Sequence, residues 1–323
     1  MAAVPVAGPV DLAGSLDVFR RSGDDLLDRW DGRIWLRALA VDGRMVGVAA
    51  RPVGTVERPA LEVEAEAGAD AAAAGRALAA GFVTAPEALA ELAAADPVVA
   101  GIAARFPGVG PVLQPDLLCA VVRSISAQQI TLRFAAVLRG RLARRYGRRH
   151  QVPVPGDPAS GEVWSLEAGR LAGAGVADLR QLQLSTAKAV AVVEFAGAVA
   201  SGRVDLGELA GLGDEEVIGR LVAFPGIGRW TAEWLLARTL GRPRVVAGDL
   251  GVRKAVGAAY LDGRMPSEAE VRAATAHWGA AAGVAQQLLL HWLSVEAPGR
   301  GRPRRAPTGS RSATRPGRSS PRG

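Results

Sequence analysis

Apolar and polar positions follow two rhythms along this chain, and the change falls near residue 85. Before it, RIWLRALAV, RMVGVAARPV and ALEVEAEA alternate or run apolar over strand length, divided by Asp42-Gly43 and by the turn-rich GTVERP. Asp42-Gly43 predicts a hairpin, because a two-residue turn of this kind needs residues that tolerate positive φ. Two helices accompany the strands: residues 11–21, with Leu12, Leu16 and Phe19 on one face, and the Ala-rich residues 70–80. After residue 85 the apolar spacing is that of helices. It predicts them over residues 87–95, from Asp96-Pro97, over 116–146 as one or two helices, over 171–182, 185–201, 214–224 and 229–240, from Pro266-Ser267, and over 286–293. RFPGVGPVLQPD reads as a loop, and the Pro- and Gly-rich residues 151–161 read as a linker.

Residues 214–255, DEEVIGRLVAFPGIGRWTAEWLLARTLGRPRVVAGDLGVRKA, carry most of the chemistry. Asp214 can cap a helix with Val217, Ile218, Leu221 and Val222 on one face. Pro225 stops that helix, and Gly226 and Gly228 allow a tight turn into the next. Such a tip has few side chains, so the amides of Gly226, Gly228 and Thr231 can approach an anion with the helix dipole behind them, and Arg229 adds a charge. One phosphate fits. The tip alone leaves an ordinary turn between two helices open. Beyond it, Asp249 stands where a new helix begins and is a natural N-cap.

Charge changes the picture less than it first seems to. The net charge is +7, but residues 299–323 hold eight Arg and no acid, so the rest of the chain is close to −1. That segment, rich in Gly, Pro, Ser and Arg, has nothing to bury and is expected to be a disordered basic tail. Arg outnumbers Lys 37 to 2, so a single Arg says little; residues 121–150, with eight Arg and no acid, still stand out. The single Cys119 cannot hold an iron–sulfur cluster, which takes about four thiolates. No run of apolar residues reaches membrane-spanning length, and a cytoplasmic, nucleoid-associated bacterial protein is expected. His150, His277 and His291 lack metal-ligand spacing, so no catalytic metal is expected.

The combination of LxxFPGIGRWTA with DLGVRKA some twenty residues on resembles the helix-hairpin-helix DNA glycosylases, in particular the 3-methyladenine DNA glycosylase II family. The resemblance implies an α+β fold: an N-terminal antiparallel sheet with helices over residues 1–84, then a two-lobed all-α core over residues 85–298. It makes Asp249 the catalytic carboxylate and Ile227 the inward-packing residue of the hairpin. It also puts Trp230 where this branch has a pocket aromatic and the strand-cleaving branch has a Lys. Trp234, four residues on, shares that helix face. Gln128 and Gln129, read here as part of one helix, fall toward the base pocket and toward the gap left by a flipped base respectively. The family often has an apolar wedge at the second of these places, and Gln129 departs from it. Trp278 corresponds to a further pocket aromatic. A structural Na⁺ or K⁺ on the carbonyls of Val222, Phe224 and Ile227 is implied as well.

The resulting expectation is a monomeric, monofunctional glycosylase that flips alkylated purines such as 3-methyladenine and 7-methylguanine out of double-stranded DNA and hydrolyses the N-glycosidic bond. Two alternatives stand beside it. One is an oxidised-guanine glycosylase with lyase activity, which AGVAQQLLL faintly resembles; the other is a non-catalytic DNA-binding protein that uses the hairpin alone.

Overall fold

The structure is a computed structural model and describes residues 1–296; the expected tail lies outside them. In chain order the first unit is β1 (Ala2–Pro5), α1 (Leu12–Ser22), β2 (Asp28–Trp30), β3 (Trp35–Val41), β4 (Arg44–Gly54), β5 (Pro59–Ala65) and α2 (Ala71–Ala79). The strands form a five-stranded antiparallel sheet in the order β1-β5-β4-β3-β2. The Asp42-Gly43 turn is present, with φ of 48° and 74°, the positive pair that lets a two-residue turn follow the twist of its strands. Val46, Val48 and Ala50 of β4 join Trp35, Leu61 and Val63 against Leu12, Leu16 and Phe19 of α1 and Ala74 and Leu78 of α2. One face of the sheet is thereby sealed by helices, as its period of two requires.

The other face is covered by an element that replaces the expected linker. After α3 (Pro86–Ala95), α4 (Pro97–Arg105), α5 (Leu117–Ala127) and α6 (Leu132–Tyr146), the chain forms the hairpin β6 (Gly147–Val154) and β7 (Asp157–Leu166). Val152 and Val163 pack on Ile34 and Ala49, and His150 is buried between Glu66 (2.7 Å) and Ser165 (2.9 Å). Gly47 makes room for it, since a Cβ there would lie 2.5 Å from that of His150. In GRRHQVPVPG the prolines and glycine mask an alternation in which His150 and Val152 point in and Arg148, Arg149 and Gln151 point out.

The remaining elements are α7 (Ala168–Ala172), α8 (Val176–Gln181), α9 (Thr186–Ala200), α10 (Leu206–Ala210), α11 (Asp214–Val222), α12 (Arg229–Arg238), α13 (Leu250–Tyr260), α14 (Glu268–Thr275) and α15 (Ala282–Val295). The helix expected over 171–182 is two short ones, because Gly173 and Gly175 interrupt it. Two lobes result. Val121, Ile125, Leu138, Leu142, Phe195, Leu221 and Leu235 belong to one core, drawn from α5, α6, α9, α11 and α12. Leu92, Val99, Ile102, Val252, Val256, Leu288 and Leu289 belong to the other, in which α3 and α4 join α13 and α15. The chain enters the second lobe, builds the first and returns, and the two crossings meet where the Gln114 amide donates to the Arg238 carbonyl at 2.8 Å. Asp249 is at the return crossing.

Candidate active site

The hairpin α11–α12 forms for the reasons its sequence predicts, with one change at its start. Gly213, not Asp214, is the N-cap. Asp214 occupies the first helical position and pairs instead with Arg244 (3.2 Å) and Arg242 (3.7 Å), partners from the connector to α13 that no local pattern announces. α11 gives way at Pro225. Gly226 has φ of 75°, and a Cβ on it would stand 2.8 Å from that of Ala191. Ile227 is 3% exposed and belongs to the first lobe's core, which pins the turn from below. Gly228 caps α12 without a side chain, so the first amides of α12 meet no side-chain acceptor there.

Gln128 and Gln129 are not on a helix. α5 ends at Ala127, Thr131 caps α6 through the Phe134 amide (3.3 Å), and the two glutamines form the turn between. Gln128 Nε2 donates to the Gly226 carbonyl at 2.9 Å, which ties this turn to the hairpin tip. Gln129 is exposed with φ of 58°. Beneath them Ser124 Oγ donates to Thr231 Oγ1 (3.1 Å), so the Thr231 side chain faces inward and only its amide remains for an anion. Arg229 is held by Glu215 (2.8 Å) and Glu233 (3.2 Å), and the hydrogen bond it donates to Glu215 raises its pKa.

Across the seam, Asp249 caps α13: its Oδ1 accepts the Val252 amide at 3.0 Å, and among the described residues no group hydrogen-bonds the other oxygen. The carboxylate is partly exposed. Trp230 is brought to it from the hairpin side. A Cβ on Gly248 would lie 3.3 Å from Trp230 Cδ1, so the indole lies against the backbone one residue before Asp249, and its buried Nε1 has no partner among the described residues. Trp234 is half-buried against the first lobe's core. Trp278 is not brought to the site: it is 2% exposed inside the second lobe's core, with its ring centroid 6.2 Å from that of Tyr260, so the expected pocket role is withdrawn.

Two neighbours of Asp249 escape any sequence pattern. A Cβ on Gly251 would fall 3.0 Å from Asp249 Oδ1 and 3.2 Å from Leu290 Cδ2, which places Leu290 of α15 beside the carboxylate. Burial pushes the Arg238 guanidinium down to about 10, and the Asp249 carboxylate opposes that shift. Glu233, 2% exposed in its side chain, gathers Arg229, Arg244 and Arg272 within 3.2 Å and so fastens α12 to the connector and to α14. Of the three carbonyls expected around a cation, that of Phe224 accepts the Ile227 amide at 3.2 Å. An all-carbonyl donor set suits a hard monovalent ion.

A sheet in front of two helical lobes, with a glycine-tipped hairpin facing a helix-capping carboxylate across their seam, is the arrangement of a helix-hairpin-helix glycosylase. No family model matches the chain. It is 31% identical over 221 residues to a Mycobacterium tuberculosis protein named "Probable bifunctional transcriptional activator/DNA repair enzyme AlkA", covering 66% of this chain and 40% of that protein. A DNA-3-methyladenine glycosylase of Bacillus subtilis is 26% identical over 190 residues, 58% of this chain and 61% of its own length. The solved 3-methyladenine DNA glycosylase of Archaeoglobus fulgidus superposes with a TM-score of 0.76 at 27% identity, covering 92% of this chain and all of its own. An 8-oxoguanine glycosylase/lyase of Clostridium acetobutylicum reaches a TM-score of 0.67 at 15% identity and shares the fold alone. In sequence and in structure the chain is similar to 3-methyladenine DNA glycosylases with the helix-hairpin-helix fold. It spans between 40% and 62% of the length of the curated relatives it matches.

Proposed function

We propose that this protein is a monofunctional DNA glycosylase that excises alkylated purines from double-stranded DNA. The observation that carries the reading is the juxtaposition of Trp230 with the backbone of Gly248, one residue before Asp249, at the seam between the lobes. An aromatic side chain packed one residue before a carboxylate suits a cationic, flipped-out base: the ring can stack on it, and the anion favours positive charge. Alkylation makes the purine a good leaving group. The C1′–N bond breaks with its electron pair going to the base, positive charge grows on the sugar, and water completes the hydrolysis at C1′. Asp249 stabilises that growing charge and orients the water, the electrostatics used against oxocarbenium-like states in glycoside hydrolysis.

The first amides of α12 grip a phosphate near the lesion, with Arg229 beside them once it shares its charge between Glu215 and the DNA. A structural Na⁺ or K⁺ on the carbonyls of Val222, Phe224 and Ile227 would steady the turn and takes no part in the chemistry. The protein is proposed to act as a monomer. A binding module without catalysis is disfavoured, since a carboxylate beside DNA costs affinity unless it does something.

Asp249→Asn separates the two roles of that residue. Asn caps a helix about as well as Asp, so the melting temperature should hold within a few degrees while single-turnover excision falls by about two orders of magnitude or more. Affinity for undamaged duplex should stay level or rise slightly. A folded variant that excises within a few-fold of wild type would remove Asp249 from the chemistry.

A further inference from the structure

α9 carries one of the chain's two lysines, and its amine is engaged with backbone. Lys188 Nζ donates to the carbonyls of Ser126 (3.0 Å) and Gln128 (2.7 Å). These oxygens lie at the C-terminal end of α5, where helix geometry leaves carbonyls without amide partners and a cation is welcome. Burial lowers the pKa of the ammonium, and two of its N–H groups are directed at these carbonyls.

Further ties converge on the same turn. Gln128 reaches the Gly226 carbonyl, Ser124 holds Thr231, and Ala191, one turn along α9 from Lys188, closes the space under Gly226. α9 is therefore the common floor of the glutamine turn and of the hairpin tip. Gln129, exposed and left-handed, sits at the top of that assembly in a conformation that a non-glycine residue keeps only where its surroundings impose it.

We propose that Lys188 is a positioning residue, which fastens the α5–α6 turn to α9 so that Gln129 and the phosphate-gripping amides meet DNA as one rigid surface. This rests on the glycosylase reading. A group that replaces an extruded base must resist being pushed back, and a loose turn would yield instead of holding the base out. Without Lys188, two carbonyls lose their donor and Gln129 loses its reason to stand where it does.

The test is single-turnover excision of 7-methylguanine at saturating enzyme from two duplexes, one with the lesion paired and one with it opposite an abasic site. Wild type, Lys188→Met and Lys188→Arg are compared, and Lys188→Gln replaces the Met variant should that not fold. The Met variant should lose about ten-fold or more on the paired duplex and no more than about three-fold opposite the abasic site, where extrusion costs less. The Arg variant keeps a cationic donor and should stay within about three-fold of wild type on both. Equal losses on the two duplexes, or a Met variant as fast as wild type, would overturn the positioning role. A wild-type protein that excises neither duplex would overturn the glycosylase reading, and the proposal with it.

Discussion

Gly251 is the residue whose replacement tests the geometry around Asp249 most sharply. It lies in the first turn of α13, where exchanging Gly for Ala ordinarily stabilises a helix by about 1 kcal/mol. Here the added methyl would meet Asp249 Oδ1 at 3.0 Å and Leu290 Cδ2 at 3.2 Å, and one of them must move. Gly251→Ala should therefore melt no lower than wild type, yet excise about ten-fold or more slowly, since displacements well under 1 Å in an electrostatic site are costly. Calorimetry and single-turnover rates on one preparation decide it; an undiminished rate would mean that Asp249 has room to spare. Asp249 itself was legible in the sequence, because a cap before LGVR is a local pattern. Leu290 and Arg238 were not, because they reach the carboxylate only through the packing of α15 and α12, and in a chain with 37 Arg no single one draws the eye. Trp278 misled for the opposite reason: a large aromatic near a resemblance looks like a pocket wall, and its burial is a property of the lobe.

The hairpin shows what an element can carry by itself. Its stop at Pro225, its glycines and its buried Ile227 are local, so α11 and α12 could be placed from sequence to within a residue or two. The β6–β7 hairpin could not, because its stability comes from the sheet face it covers, a partner more than ninety residues upstream, and its prolines hide the alternation. The glutamine turn reads as helix in the sequence for a related cause: Gln has no aversion to helix, and the extended ψ of Gln128 (127°) and the left-handed φ of Gln129 end α5 before Thr131 caps α6. Gly226→Ala tests the tip. Its positive φ and the 2.8 Å approach to Ala191 should together cost about 2 kcal/mol or more. A lowered melting temperature with weaker binding to undamaged duplex is expected, and an unchanged one would show that the turn does not hold this shape.

At the scale of the whole molecule, buried charges join the units. Asp25, in the loop after α1, is fully buried between Arg123 of α5 (2.7 Å) and Arg139 of α6 (2.8 Å). Burial alone would raise its pKa, but the two guanidinium groups outweigh that and hold it low. Asp28 pairs with Arg37 at 2.7 Å, and Arg37 also donates to the Leu113 carbonyl at 2.7 Å, so the first sheet is fixed to the segment that leads into α5. The sheet is thereby tied to the first helical lobe through α5 and α6. Residues 1–298 carry almost no net charge, so on the glycosylase reading that part of the chain would attract DNA through local features such as the hairpin amides and the Arg-rich α6.

The most direct measurement uses the intact chain and the substrate the site fits. Duplex DNA methylated at purine nitrogens is incubated with purified wild-type protein and with Asp249→Asn, released bases are identified by chromatography, and a parallel sample is treated with borohydride. The glycosylase account predicts free 3-methyladenine and 7-methylguanine from wild type alone, strands left uncut at the abasic sites, and no trapped protein–DNA adduct, because Trp230 stands where a lyase needs an amine and Lys188 is bound to carbonyls. DNA binding without any released base, or a borohydride-trapped adduct on the wild-type chain, would contradict it.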